Sequence, residues 1–298
     1  MASDTTCSRE VLQDAVIGAQ QIEQLVLDFT ELDAHNYVPE DKAFQKEYVG
    51  MRIYDAPIFG YAAADDPCFA TLRDPLVVGE HILLPEDWVQ GARSVMSFFL
   101  PFTQQVKKSN ARDMSWPSDE WQHARIEGQG FINALCAHIQ NTLIAAGYNS
   151  TVPALDKRFE STARLATDEL PALYTSNWSE RHVAYICGLG TFGLSKGLIT
   201  ERGVCGRFGS VVTTLHLPPT KRAYNSPYAY CSMCGACGRN CPVKAITVSG
   251  GKDHNPCKAF LNSTRQLRPQ YYGCGKCQVA VPCQDRIPAA APRKMASH

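Results

Sequence analysis

The chain has 298 residues, 45% of them hydrophobic, with 29 basic and 29 acidic side chains and 13 cysteines. That length can bury a sizeable core and suggests two domains. No apolar run approaches the ~20 residues of a membrane span, and the start, Met1 to Cys7, carries no basic n-region, apolar h-region or twin arginine, so a soluble, cytoplasmic protein with reduced thiols is expected.

The predicted elements follow in chain order. Ser8–Leu32 reads as an amphipathic helix capped by Ser8, with Leu12, Val16, Ile22, Leu25, Val26 and Phe29 at helical spacing. His35–Tyr48 is polar and reads as a loop or short helix. Met51–Ala64 and Ser94–Phe102 read as buried strands. Asp119–Ala146 reads as a long helix, with Ile126, Ile132, Leu135, Ile139 and Leu143 inward and Gly147 as its stop. Ser179–Cys187 reads more easily as helix than strand, and Gly209–Leu217 as a β-branched strand. Pro218-Pro219 and Asn225-Ser226-Pro227 mark a boundary. The expected architecture is an α/β (α+β) domain over 1–224 and a cysteine-rich domain over 225–298.

Eight cysteines fall between Cys231 and Cys283. Cys231-x₂-Cys234-x₂-Cys237-x₃-Cys241-Pro242 is the spacing of a two-cluster ferredoxin, in which three thiolates wrap one 4Fe–4S cluster and the fourth ligates the other. Cys257, Cys274, Cys277 and Cys283 form a second set. Crossed ligation groups Cys231, Cys234, Cys237 and Cys283 on one cluster, and Cys241, Cys257, Cys274 and Cys277 on the other. Cys283 is the irregular ligand, because five residues, the last of them Pro282, separate it from Cys277 where three residues and a following proline are usual. Zinc is the rival occupant, since Cys-x₂-Cys pairs also build zinc ribbons, but the third cysteine and x₃-Cys-Pro are not ribbon spacing. Nothing marks the chain as secreted, so a disulfide framework fits less well.

Formal net charge is zero, yet Ser226–His298 holds ten basic residues against two acids, an excess of +8 balanced by −8 over residues 1–225. A nucleic-acid surface is one reading. The stronger one is local compensation, since two clusters of on the order of −2 each would cancel about half of the excess.

Gly188-Leu189-Gly190-Thr191-Phe192-Gly193 matches G-x-G-x-x-G. A dinucleotide site also needs a strand before the motif and an acid about 20 residues on. No Asp or Glu occurs from Arg202 to Lys252, so a nicotinamide cofactor is not the reading. Either the loop lets backbone approach a ligand closely, or it serves helix-to-strand packing alone.

Glu180-Arg181-x-x-Ala184-x₃-Gly188-Leu189-Gly190-x-x-Gly193, followed by the two-cluster segment, resembles the epoxyqueuosine reductases and, more distantly, the reductive dehalogenases. The likeness is carried by residues 150–285. It implies a nitroreductase-like α/β domain that binds cobalamin, a bacterial-ferredoxin-like domain with two 4Fe–4S clusters that reduce the cobalt, and an oxygen-sensitive reductase fed by a ferredoxin- or flavodoxin-type donor. On that resemblance Gly188, Gly190 and Gly193 would run along the corrin, with Glu180 and Arg181 holding the loop. Those reductases carry a catalytic aspartate six residues before the Glu, where this chain has Tyr174. The dehalogenases use a tyrosine as proton donor, which makes Tyr174 the catalytic candidate; its plain reading is packing. Only 15 residues follow Cys283. The helical tRNA-holding tail that the resemblance implies is therefore not expected, and the first domain is acidic. Both points argue against tRNA and for a small-molecule substrate.

Two readings rival the reductase. One is an electron-transfer protein that donates to a corrinoid or flavin on a partner, its basic segment serving as the docking face. The other is a zinc module. Cys7, Cys68, Cys136, Cys187 and Cys205 are expected to be small buried hydrophobes, His182 structural, and Trp178 either a cofactor wall or core.

Overall fold

A computed structural model describes residues 17–164 and 173–289. In order the elements are α1 (Ala19–Leu32), β1 (Ile58–Ala63), α2 (Pro67–Thr71), α3 (Pro85–Trp88), β2 (Ser94–Pro101), α4 (Gln104–Arg112), α5 (Asp119–Ala145) and β3 (Ser150–Thr151). There follow β4 (Ser161–Arg164), β5 (Leu173–Ser176), α6 (Glu180–Ile186), β6 (Gly190–Phe192), β7 (Leu198–Thr200) and β8 (Gly206–Thr213). The cysteine segment adds α7 (Ala236–Arg239), β9 (Ile246–Thr247), β10 (Gly251–Lys252) and α8 (His254–Ser263). The fold is mixed α/β, as expected, in its antiparallel form.

The main sheet has the order β1-β2-β8-β3, with every pairing antiparallel. β2 is buried along its whole length, and its side chains alternate between two cores. Met96, Phe98 and Leu100 meet Phe131, Leu135 and Ile139 of α5 and Ile22 and Val26 of α1. Val95 meets Val183 and Ile186 of α6, with Phe69 of α2 and Trp88 of α3. The sheet is thus sandwiched between helices, which explains a hydrophobic run with no polar face.

α5 starts where Ser118 Oγ accepts from Trp121 N at 3.1 Å, with Asp119 and Glu120 in the first turn complementing the helix dipole. It stops before Gly147, which takes φ +88°. The Ser8 cap lies outside the described residues. Met51–Ala64 is strand only from Ile58. Before that the backbone is tied to Asn36, whose side chain accepts from Tyr54 N at 2.9 Å and donates to Tyr54 O and Thr30 O. A ladder cannot form where a side chain has taken its hydrogen bonds. Residues 35–48 hold single 3₁₀ turns at Ala34–Asn36 and Lys46–Tyr48. The Gly209–Leu217 strand runs instead from Gly206 to Thr213.

The cysteine segment packs back onto the α/β layers. Val279 joins the main core. Lys107 of α4, almost fully buried, pairs with Asp285 at 2.6 Å, and Asp119 of α5 pairs with Arg268 at 2.8 Å. Trp121 leaves no room for side chains at 273 and 275: a Cβ on Gly275, whose φ is +66°, would lie 1.9 Å from its ring. Among the described residues no helix is long and apolar enough to cross a membrane.

Candidate functional site: two thiol sets and an arginine-lined cavity

Cys231, Cys234, Cys237 and Cys283 line one small cavity, together with Gly193, Ile199 and Val281. The irregular approach to Cys283 has a structural reason. Ala280 turns through the left-handed region at φ +51°, and its N–H donates to Gln284 Oε1 at 2.8 Å. Val279 and Val281 are buried on either side of that turn. Val204 N then donates to Cys283 O at 2.9 Å, pinning the cysteine to the β7–β8 connection. The two extra residues are spent on this anchor, and the thiol returns to the other three.

Cys241, Cys257, Cys274 and Cys277 form the second set. Cys277 acts electrostatically on Cys274, and Cys257 and Cys241 act on Cys277. Cys277 is also the thiol with the largest charge effect on Cys237, so the two sets adjoin there. Burial pushes the Cys237 thiol up to about 11 and those of Cys274 and Cys283 up to about 12. The thiols are therefore protonated until a metal displaces the protons.

Among the described residues no three or more His, Cys, Asp or Glu are gathered for a single metal ion. The first thiol set opens around a cavity instead, and four soft ligands per set suit a 4Fe–4S cluster. Two neighbours bear on such a cluster. Ala245 N donates to Cys241 Sγ at 3.3 Å. Lys276 is fully buried between two cysteines, its Nζ donating to Asn110 O and Oδ1, both at 2.7 Å. Hydrogen bonds and charge of this kind tune cluster potentials. Sequence reading missed Lys276, although a lysine between Cys274 and Cys277 was a visible signal.

Beside the second set lies a cavity of about 560 Å³ between α5, α6 and β8, within the usual size of cofactor and ligand sites. Phe102, Ile132, Leu198 and Phe208 supply apolar wall, while Arg125, Gln129, Asn133, Glu180, Arg181, Arg207 and Gln278 supply polar groups. Glu180 Oε2, Gln278 Oε1 and Arg125 Nε are buried there without a hydrogen-bond partner. Burial pushes the Glu180 carboxyl up to about 7, opposed by the Ser210 hydroxyl. Arg181 Nη1 donates to Lys196 O at 2.8 Å and so holds the β6–β7 turn. The apolar walls and unsatisfied polar atoms fit a large cofactor with an amide rim, such as a corrin.

The three glycines do not line this cavity. Gly188, at φ +88°, ends α6 and abuts Thr220. Gly190 faces backbone, since a Cβ there would lie 2.0 Å from Ile199 O across the β6–β7 hairpin. Gly193 lies near the first thiol set, with Cys231 Sγ 3.7 Å from its would-be Cβ. Their spacing is thus accounted for by a helix cap, a hairpin and a thiol-set wall.

Tyr174 lies on β5, paired with Ala163 of β4. Its hydroxyl donates to Asn255 Oδ1 at 3.4 Å, its ring lies 4.9 Å from that of His254, and it is not among the cavity-lining residues. Burial, Asp253 and Cys257 push its phenol above the usual range. Trp178 is core, buried among Phe69 and Trp88 with its Nε1 donating to Ser210 Oγ at 2.9 Å. His182 contacts Ser179 Oγ at 2.8 Å, and burial pulls it down to about 4. Cys136, Cys187 and Cys205 are buried; Cys68 is half-buried. Cys7 lies outside the described residues.

The site defines a class: thiol sets suited to clusters beside a cofactor-sized cavity. No protein-family profile matches the chain. Over 118 residues it is 30% identical to the epoxyqueuosine reductase of Bacillus cereus, a match covering 36% of this chain and 30% of that protein; the same enzyme of Bacillus anthracis matches equally. The similarity thus spans less than a third of the length of these curated relatives. The epoxyqueuosine reductase of Streptococcus thermophilus superposes with a TM-score of 0.43 at 17% identity, covering 79% of this chain and 65% of that one. A catabolic reductive dehalogenase gives 0.47 at 15%, covering 91% and 37%. The resemblance read from the Glu180–Gly193 motif and the cysteines is therefore matched by comparison.

The expectation against tRNA is corrected by the relatives, since the curated proteins matched at 30% identity are epoxyqueuosine reductases. One solved neighbour is an epoxyqueuosine reductase with an epoxyqueuosine-modified tRNA stem loop (TM-score 0.48, 16% identity, covering 89% and 66%). The net acidity of residues 1–225 does not bear on this, because a summed charge says nothing of where Arg125, Arg181 and Arg207 gather.

Proposed function

We propose that the protein is an iron–sulfur reductase that uses cobalamin, its electrons entering through two 4Fe–4S clusters. One cluster is held by Cys231, Cys234, Cys237 and Cys283, the other by Cys241, Cys257, Cys274 and Cys277. The corrinoid occupies the cavity lined by Glu180 and Arg181 and supplies a low-valent cobalt for reductive chemistry. The observation that carries this reading is the place of Cys277: it acts electrostatically on Cys237 in the other thiol set and on Arg181 in the cavity wall, and Gln278, next to it in the chain, lines that cavity. A donor, a relay and a cofactor chamber would then be contiguous. Residues 1–224 would form the cofactor part and 225–298 the cluster part.

The chain's own contribution is binding and orientation. Phe102, Leu198 and Phe208 give the chamber apolar wall, and Gln129, Asn133 and Gln278 offer hydrogen bonds to a ligand's rim. Lys276, through its charge near Cys274, and the Ala245 N–H, which donates to Cys241 Sγ, would support reduced clusters. A modified nucleoside in RNA is the first substrate to assay, given the epoxyqueuosine reductases among the relatives. The test is anaerobic purification with iron, sulfide and bound-corrinoid analysis. About eight irons and eight sulfides per chain, with a corrinoid spectrum perturbed on binding, support the reading. Zinc in place of iron, or no perturbation, defeats it.

A further inference from the structure

Arg125 of α5, Arg181 of α6 and Arg207 of β8 come from three separate elements and converge on the cavity of about 560 Å³. Among the described residues none of the three is ion-paired with a carboxylate. Their partners are neutral: Arg207 Nη2 donates to Gln129 Oε1 at 2.6 Å, Arg181 to Lys196 O, and Arg125 lies 4.3 Å from the centre of the Tyr272 ring. Arg125 Nε has no partner at all. Burial lowers the guanidinium pKa of Arg207, where Tyr54 and Tyr272 offset part of the shift and Arg125 and Arg181 add repulsion.

Like charges held together without counter-charge cost stability unless a ligand supplies the anion. The cavity's one acid, Glu180, does not fill that role, since its own carboxyl is pushed toward the neutral form. A guanidinium is a planar fork that grips a tetrahedral oxyanion with two parallel hydrogen bonds. Apolar wall on Phe102, Ile132 and Phe208 asks for an organic body attached to that anion.

We propose that this cavity binds a phosphate ester, with Arg125 and Arg207 as the clamp and Arg181 at its cluster-facing side. Two sources share the chemistry: the phosphodiester in the nucleotide loop of a complete corrinoid, and a phosphate on the substrate. The inference deepens the proposed function if the first is the source, and stands without it if the second is.

The test is anaerobic equilibrium binding by the full chain with its metals. Cobalamin is compared with cobinamide, which lacks the nucleotide loop, and a nucleoside monophosphate with its nucleoside, using wild type, Arg125→Gln, Arg207→Gln and Arg207→Lys. The phosphate-bearing member of at least one pair binds ten-fold or more tighter to wild type. Each Gln variant abolishes that preference, and Arg207→Lys, which keeps charge but loses the fork, retains only part of it. Arg202→Gln, at an exposed position outside the cavity, leaves it intact. Iron content and thermal midpoint are measured on every variant. If one Gln variant fails to fold, the other decides with Arg207→Lys. Equal binding within both pairs, or a preference that survives in the folded variants, overturns the proposal. If corrinoids do not bind but the nucleotide preference holds, the corrinoid reading fails and the anion site stands.

Discussion

Replacing Glu180 with Gln isolates one electrostatic feature of the cavity. The Glu180 carboxyl titrates at about 7 in the folded chain against 4.5 ordinarily, chiefly through burial. The sign follows from linkage. Below about pH 4.5 the group is protonated in both folded and unfolded chains, and it contributes nothing. Between 4.5 and 7 the unfolded chain ionises while the folded chain does not, so stability falls as pH rises. Above 7 both are ionised, and the folded state carries the whole penalty. At ~1.4 kcal/mol per pKa unit the shift corresponds to about 3 kcal/mol, toward 2 kcal/mol where water in the cavity screens the carboxylate. Gln keeps the shape and removes the charge. Glu180→Gln is therefore expected to match wild type at pH 4.5 and to exceed it by about 2–3 kcal/mol at pH 8, seen as a raised thermal midpoint. A chain that holds clusters does not unfold in two states, so the readout is the pH dependence of the difference between the two proteins. The carboxylic-acid infrared band lost in the variant should titrate near pH 7. A difference that is flat with pH, or a band titrating near 4.5, would refute the reasoning.

Cys283→Ser should halve the iron, from about eight to about four per chain, with one reduced-cluster resonance lost; unchanged iron would remove Cys283 from the ligand set. Gly190→Ala drives a Cβ into Ile199 O and should destabilise even the metal-free, corrinoid-free protein by about 1–3 kcal/mol or prevent folding. An unfolding midpoint within a degree of wild type would return Gly190 to a cofactor role. A general acid lost by Tyr174→Phe would lower turnover by about 10²–10⁴. With its hydroxyl on Asn255 and its ring on His254, the geometry predicts a change below tenfold, and a larger loss with an altered pH profile would make Tyr174 the donor.

What was legible in the sequence followed local periodicity and spacing. α5 could be read because its apolar positions repeat at helical spacing between a Ser118 cap and a glycine stop. β2 could be read because both faces are buried. The first thiol grouping was legible in the cysteine spacing, and the irregular Cys283 does lie with Cys231, Cys234 and Cys237 around one cavity, brought there by the Ala280 turn. The early part of Met51–Ala64 misled because hydrophobic content does not reveal that Asn36 has claimed Tyr54's backbone. The glycine motif misled in a different way. A cofactor loop, a helix cap and a tight hairpin all need a missing Cβ, and only the neighbouring atoms tell them apart. Arg181 was singled out by its motif, but Arg125 and Arg207 left no sequence signal, because the convergence of the three is made by elements far apart in the chain.

The most direct test of the account is made without oxygen. Purified protein holding its clusters is mixed with one equivalent of oxidised cobalamin, the clusters are reduced, and the cobalamin spectrum is followed beside wild-type and Cys277→Ser protein. The account predicts a perturbed spectrum on binding, cobalt reduction that follows cluster reduction in wild type, and loss of that reduction, with binding retained, in the variant. A cobalamin spectrum identical to that of the free cofactor, or cobalt reduction that is equally fast when Cys277 is gone, would contradict it.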